Sequence, residues 1–313
     1  MIEVVVTVVL AVAAGIALER RTPPGTAQVL RHYVTRLLLW VLTPFVAFVS
    51  IARLHAGASV ALGIAVGLST TALVTTLMWL YARGPLGLDR RSIGAAMICT
   101  TQGNTGYFGL PLCAALFSAT EFSQSVAYDS FVSLPAFVFG SFTIGAIFGT
   151  QRGEASFARH LSRTLFKNPL PYVLVAALLV PSSWAPSLLD VPLDVAVFSL
   201  APLGFLIVGL TLADETAAGD LRIPPALTRP IGALIALRMV LMPAIVLAFS
   251  LLVVRLPATY PLMAAMPTGV NTIVVAHRTG LDLRLTADGN AWTTSIALAA
   301  TLAVAILLAL GVL

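Results

Sequence analysis

The chain has 313 residues, of which 58% are hydrophobic and only 10% charged, with a net charge of +5 and a mean hydropathy of +0.97. Soluble domains carry about 25% charged residues, so this composition excludes a soluble fold and implies a polytopic membrane protein. The basic balance does not imply nucleic acid, because Lys and Arg fall in short gaps between apolar runs, the pattern of membrane topology.

A membrane helix needs about 20 apolar residues. Ten candidate spans follow in chain order: 2–18, 35–51, 60–81, 92–117, 126–149, 169–181, 195–213, 230–254, 257–276 and 291–312. The first has no basic region ahead of it and ends in Leu18-Glu19-Arg20-Arg21, so it reads as a membrane helix rather than a cleaved signal peptide. The second carries Thr43-Pro44 and the seventh Ala201-Pro202, two proline positions that match in order.

The fourth span cannot be one regular helix. Gly103, Gly106, Gly109 and Pro111 fall within nine residues, and Gly and Pro are the poorest helix formers. A break at mid-membrane depth is tolerated only where the freed backbone is buried in protein or lines a cavity. Gln102, Asn104, Thr105 and Tyr107 put polar side chains at that level. The ninth span has a second break, Pro267-Thr268-Gly269-Val270-Asn271. Interrupted spans at corresponding positions of two halves point to a transporter binding site.

The gaps after the odd-numbered spans hold fifteen of the eighteen basic residues. The other side holds Arg53 and Arg255, and Arg238 alone lies within a span. Basic residues collect on the cytoplasmic side, so this split supports ten spans with the N- and C-termini outside. Five spans per half give the halves opposite orientation: residues 1–149 form one repeat, 150–168 a cytoplasmic linker with room for an interfacial helix, and 169–313 the inverted second repeat. No phosphate-binding loop of the G-x-x-x-x-G-K type occurs, so ATP-driven pumping has no support. Cys99 and Cys113 flank the first break and read as small buried residues rather than a disulfide. His32, His55, His160 and His277 lie in or beside loops without metal-ligand spacing.

The run Gly103-Asn104-Thr105-Gly106-Tyr107-Phe108-Gly109-Leu110-Pro111 resembles the fourth-span signature of the auxin efflux carrier family. That family includes the plant PIN-FORMED carriers and bacterial proteins labelled malate or malonate permeases. Lys167-Asn168-Pro169-Leu170 is similar to its second signature, and Pro267-Thr268-Gly269-Val270-Asn271 to its ninth-span crossover. The resemblance implies an all-α membrane fold of ten helices in two inverted five-helix repeats, with broken helices 4 and 9 crossed, as in bile-acid symporters and NhaA. It implies a scaffold of spans 1, 2, 6 and 7 and a transport domain of spans 3–5 and 8–10. The implied function is elevator-type movement of a small organic anion, a mono- or dicarboxylate or auxin-like acid, across the cytoplasmic membrane, by a homodimer without cofactor or enzymatic activity. The plant carriers have a long hydrophilic loop between spans 5 and 6. This chain has a short one, so regulation by phosphorylation there is not expected.

Among individual residues, Asn104 and Asn271 are the sharpest candidates. Their amides suit a substrate carboxylate, while the plainer reading is a helix N-cap. Gln102, Thr105, Tyr107, Thr268 and Gly269 are further substrate-site candidates, with helix–helix hydrogen bonding as the plain alternative. Gly103, Gly106, Gly109, Pro111 and Pro267 read as the breaking devices. Asp129, near the outer end of the fifth span, is a candidate ion-coupling residue, against an acid hydrated at the interface. Asp190 and Asp194 read as solvated loop residues. Arg238 lies about 12 Å into its span; it either attracts the anion, pairs with Asp214 or Glu215, or snorkels. H+ and Na+ are the candidate coupling ions, the latter in a symporter of the bile-acid type, and a membrane receptor is the remaining alternative.

Overall fold

The structure, a computed structural model, describes residues 2–23, 25–54, 57–150, 169–218 and 225–309. The linker, with its expected interfacial helix, lies outside the described residues, as do His55 and His160.

Among the described residues the fold is built from helices alone, apart from one isolated bridge between two chain segments. In chain order these are α1 (Ile2–Arg21), α2 (Thr26–Ala52), α3 (Ala58–Arg83), α4 (Arg90–Thr101), α5 (105–116), α6 (Thr120–Phe148), α7 (Pro169–Leu179), α8 (Asp190–Ala218), α9 (Arg229–Leu252), α10 (Thr259–Ala264), α11 (Asn271–Thr279) and α12 (Leu283–Ala309). Five of the apolar helices are long enough to cross a membrane: α2, α3, α6, the stretch Ser187–Thr211 that includes most of α8, and α9. Large apolar side chains such as Leu179, Val191 and Leu252 face outward, as helices in lipid require.

Proline shapes these helices in a consistent way. Five π-helical turns occur in the described chain, and four of them stop two residues short of a proline: Leu38–Leu42 before Pro44, Thr105–Gly109 before Pro111, Asp129–Ser133 before Pro135, and Ala236–Leu241 before Pro243. Proline removes an N–H and its ring crowds the carbonyl four residues back. Widening the turn moves that carbonyl aside and lets the helix continue. Pro111 therefore does not break its span. It sits in the first α-helical turn of a segment that is already helical from Thr105, and the break lies earlier, at Gln102–Asn104.

Several helices begin earlier than their apolar runs suggest. α2 starts at Thr26 instead of 35, and α12 at Leu283 instead of 291. The polar start of α12 is buried inside the protein from Thr286 on, while the first turns of α2 are largely exposed, with Gln28, Arg31 and His32 at a cavity. The fifth span likewise begins near Thr120 rather than 126.

Packing joins α1 to α8 and α7 to α2, while α3 lies on α4 and α9 on α10. The α1–α8 contact is closest where Gly15 and Gly209 meet. A Cβ on Gly15 would strike the Leu206 carbonyl oxygen, and one on Gly209 the Val12 carbonyl oxygen. Small residues of this kind let helix backbones approach closely in membranes. Three apolar clusters fill the interior, the largest running through α2, α6, α8 and α10.

Candidate functional site

The two breaks cross. Gly103 and Thr268 form the isolated antiparallel bridge. The backbone N–H of Asn104 donates to the Pro267 carbonyl at 2.7 Å, and the backbone N–H of Gly269 to the Gln102 carbonyl at 3.0 Å. Each unwound stretch thus satisfies the backbone of the other, which answers the need that buried polar groups be paired away from water.

On one side of the crossing, α4 and α10 end. Their terminal carbonyls carry the partial negative charge of a helix C-terminus. Arg238, 2% exposed and carried by the π turn of α9, reaches both ends. Its Nε donates to the Met266 carbonyl at 3.1 Å, and its Nη1 lies 3.4 Å from the Thr100 carbonyl and 2.8 Å from Met242 Sδ. A Cβ at position 103 would collide with its Nη2, so the glycine admits the guanidinium. Thr268 is fully buried on the same side. Its hydroxyl donates to the Cys99 carbonyl at 3.0 Å, and its amide donates to Thr293 Oγ1 at 3.2 Å. Cys99 and Cys113 are free and buried.

Burial corrects the snorkelling alternative for Arg238, and Asp214 is not its partner. Asp214 pairs with Arg31 at 3.0 Å. The side chain of Glu215 lies outside the described residues.

On the other side of the crossing, α5 and α11 begin. Asn104 stands at the N-cap position of α5 but its side chain makes no cap bond, and its Nδ2 is buried without a partner. Gln102 Oε1 is likewise buried and unpaired. Asn271 opens α11 and lines a cavity of about 630 Å3 together with Tyr107, Val270, Val274, His277 and Arg278. The facing wall comes from α2 and α8: Gln28, Arg31, His32, Thr35, Ile207, Thr211 and Asp214. His32 and His277 thus lie on helices at a cavity, not in loops. Among the described residues no group of three His, Cys, Asp or Glu could hold a metal ion.

A second cavity, about 570 Å3, lies at the other end of α2. Ser50, Arg53, Leu193 and Asp194 line one wall and Ala114, Phe117, Thr120 and Ser123 the other. Asp190 and Asp194 are exposed, as expected, but stand in the first turns of α8 rather than in a loop and line this cavity. Asp190 accepts from Arg53 Nη1 at 2.6 Å, and Arg53 also donates to the carbonyls of Ala185 and Pro186. Between the cavities the walls touch. Phe108 meets Phe205 edge-on with ring centroids 5.1 Å apart, and a Cβ on Gly204 would lie 2.9 Å from Tyr107 Cβ.

Asp129 lies about nine residues inside α6, roughly 13 Å along it at 1.5 Å per residue, so it is not an acid at the helix end. The Thr105 hydroxyl donates to its Oδ1 at 2.5 Å, and Gly106 lies beside it. Next to it Tyr128 stacks edge-on with Tyr260, centroids 5.0 Å apart.

The expected site residues therefore divide. Asn104, Gln102, Asn271 and Tyr107 are unpaired or at the cavity. The hydroxyls of Thr105 and Thr268 are used within the protein, and Thr268, Gly269, Gly103 and Pro267 form the joint. The sequence reading missed the polar stripe of α12. Asn290 Nδ2 donates to Thr272 Oγ1 at 2.8 Å, and Thr286, Asp288 and Thr293 are buried nearby. A polar run, Thr286-Ala287-Asp288-Gly289-Asn290, immediately before an apolar one was the available signal.

No curated protein matches the chain. Residues 158–305, just under half of it, match the family model described as membrane transport protein. That region includes the second break and the polar start of α12, so over its second half the chain is similar to membrane transport proteins.

Proposed function

We propose that the protein is an elevator-type secondary transporter of a small organic anion, a mono- or dicarboxylate, in the cytoplasmic membrane. The observation that carries this reading is the crossing of two broken spans beside a cavity. Asn271 and Tyr107 line that cavity, and the unpaired amide of Asn104 belongs to the same crossing. Helix N-termini favour anions through their oriented N–H groups and dipoles. A neutral amide adds a donor without requiring a buried charge. Arg31 and Arg278 against Asp214 leave the cavity lining a formal excess of one positive charge, suited to the same cargo.

The packing supports a two-part mechanism. In this reading α1, α2, α7 and α8 are the scaffold, and the remaining helices carry the cargo. Both cavities lie between these groups, at opposite ends of α2. Sliding one group past the other would close one cavity and open the next while the crossover moves as a unit. The contacts pair α1 with α8 as they pair α7 with α2, and α3 with α4 as α9 with α10. That is the pattern two inverted repeats, 1–149 and 169–313, would produce; the split of basic residues is what places both termini outside in this reading. Asp129, bonded to Thr105 in α5, is the acid placed to couple proton movement to the crossover. A homodimer through scaffold helices is part of the same proposal.

Flux in proteoliposomes tests it. A panel of labelled mono- and dicarboxylates is presented with and without a pH gradient and with and without Na+. Saturable uptake of one class, competed by its analogues, is the expected result. No protein-dependent flux of any carboxylate would overturn the reading.

A further inference from the structure

The buried side of the crossover has a composition that calls for a cation. The ends of α4 and α10 converge there from opposite halves of the chain, and two carbonyls face one spot: Thr100, in the last turn of α4, and Met266, in the unwound stretch just past α10. Half-helix C-terminal ends and unwound carbonyls are the groups with which discontinuous membrane helices coordinate a coupling cation such as Na+. Here the spot is occupied by a side chain. Arg238 donates to a carbonyl from each broken span, Thr100 and Met266, and Gly103 leaves room for its third nitrogen. Among the described residues no carboxylate lies within salt-bridge distance of the guanidinium. A buried charge is normally kept only where it is paired. The partner of this one is the pair of helix ends.

We infer that Arg238 is a tethered counter-cation for the crossover, standing in for a bound alkali ion, so that the joint holds together without Na+. A guanidinium has a fixed charge and five donors in a planar fork, and it can serve two carbonyls from different helices at once. It would travel with the crossover instead of being taken up and released. The inference concerns the joint beneath the proposed anion site and is read in thermal stability, so a failure of transport and a failure of this assignment are separate results.

The test compares unfolding of the purified full chain in NaCl and in choline chloride at equal ionic strength. The wild type should have the same Tm in both salts. Arg238→Ala removes the cation and opens space. It should unfold at a lower temperature in choline chloride and recover part of the loss in NaCl, in proportion to the Na+ concentration. Arg238→Lys keeps a charge and should stay indifferent to Na+. A wild type stabilised selectively by Na+ would overturn the inference, as would a folded Arg238→Ala indifferent to Na+. Should Arg238→Ala not be recoverable, Arg238→Lys decides: a folded, Na+-indifferent lysine variant supports the charge, whereas loss of that variant too means that the joint needs the planar donors and not a cation.

Discussion

The crossover has a closed face and an open face, made from opposite ends of helices. On the closed face the carbonyl ends of α4 and α10 meet Arg238, while Thr268 bonds to Cys99 and Thr293 in a dry interior. On the open face the starting ends of α5 and α11 stand with an unpaired Asn104 amide, and Asn271 lines a cavity. The same polarity of the peptide unit thus does two things. Where carbonyls converge, the protein supplies its own cation. Where amides converge, the proposed anionic cargo would bring the counter-charge from outside.

The largest effects should come from breaking the closed face. Arg238→Met leaves the Thr100 and Met266 carbonyls without their donor, and each buried group so orphaned costs about 1–3 kcal/mol. Gly103→Val should do the same by displacing the guanidinium. For both, a sharply lowered Tm or loss of the monodisperse protein is expected in size-exclusion chromatography and thermal unfolding. A normal Tm in either would show that the closed face is not held as described.

Substitutions on the open face should spare the fold and cost binding. A hydrogen bond to a charged group contributes about 1.5–3 kcal/mol, and 1.4 kcal/mol is a factor of ten in affinity. Asn104→Ala and Asn271→Ala should therefore each weaken carboxylate binding roughly ten- to a hundred-fold with Tm unchanged. If both amides hold one carboxylate, the double variant should fall short of the sum, which calorimetric titration of the three proteins would read.

Asp129→Asn should keep binding measurable and remove the response of uptake to a pH gradient. A variant with an intact response would return Asp129 to a packing role through Thr105.

The smallest effect lies outside the membrane. Asp89 caps α4 by accepting from the Arg91 amide. Hydrogen bonding by the Ser92 side chain, then by the Arg91 and Ser92 amides, holds its carboxyl below the ordinary 3.8. The folded state thus favours the charged form. Its contribution is present above the unfolded value and is lost as pH falls through the lowered folded one. Asp89→Ala should cost about 1 kcal/mol or less near neutral pH, and the difference from wild type should shrink below pH ~4; a difference that grows on acidification would contradict the cap.

Much of this contrast is legible in the sequence because Gly, Pro and Asn cluster in two otherwise apolar runs. The cluster around Gly103 marks the break, and Asn271 marks the start of its counterpart. What hydropathy cannot supply is the level at which a helix starts. Counting apolar residues placed Asp129 near a helix end and left the polar start of α12 out of its span, because those turns face protein instead of lipid. Pro111 misled for a related reason: a π turn absorbs it, and the break falls at Gln102–Asn104. Arg238 read as attracting the anion, pairing with Asp214 or Glu215, or snorkelling, because its actual partners are backbone carbonyls, which have no letter in a sequence.

Counterflow in proteoliposomes tests the central claim most directly, using the carboxylate that gives the highest wild-type flux. Vesicles loaded with unlabelled anion should accumulate the labelled form through the wild type. Folded Asn104→Ala and Asn271→Ala should each exchange it with a half-saturation raised at least tenfold. Wild-type exchange by both variants, with unchanged half-saturation, would place the anion away from the crossover and contradict the account.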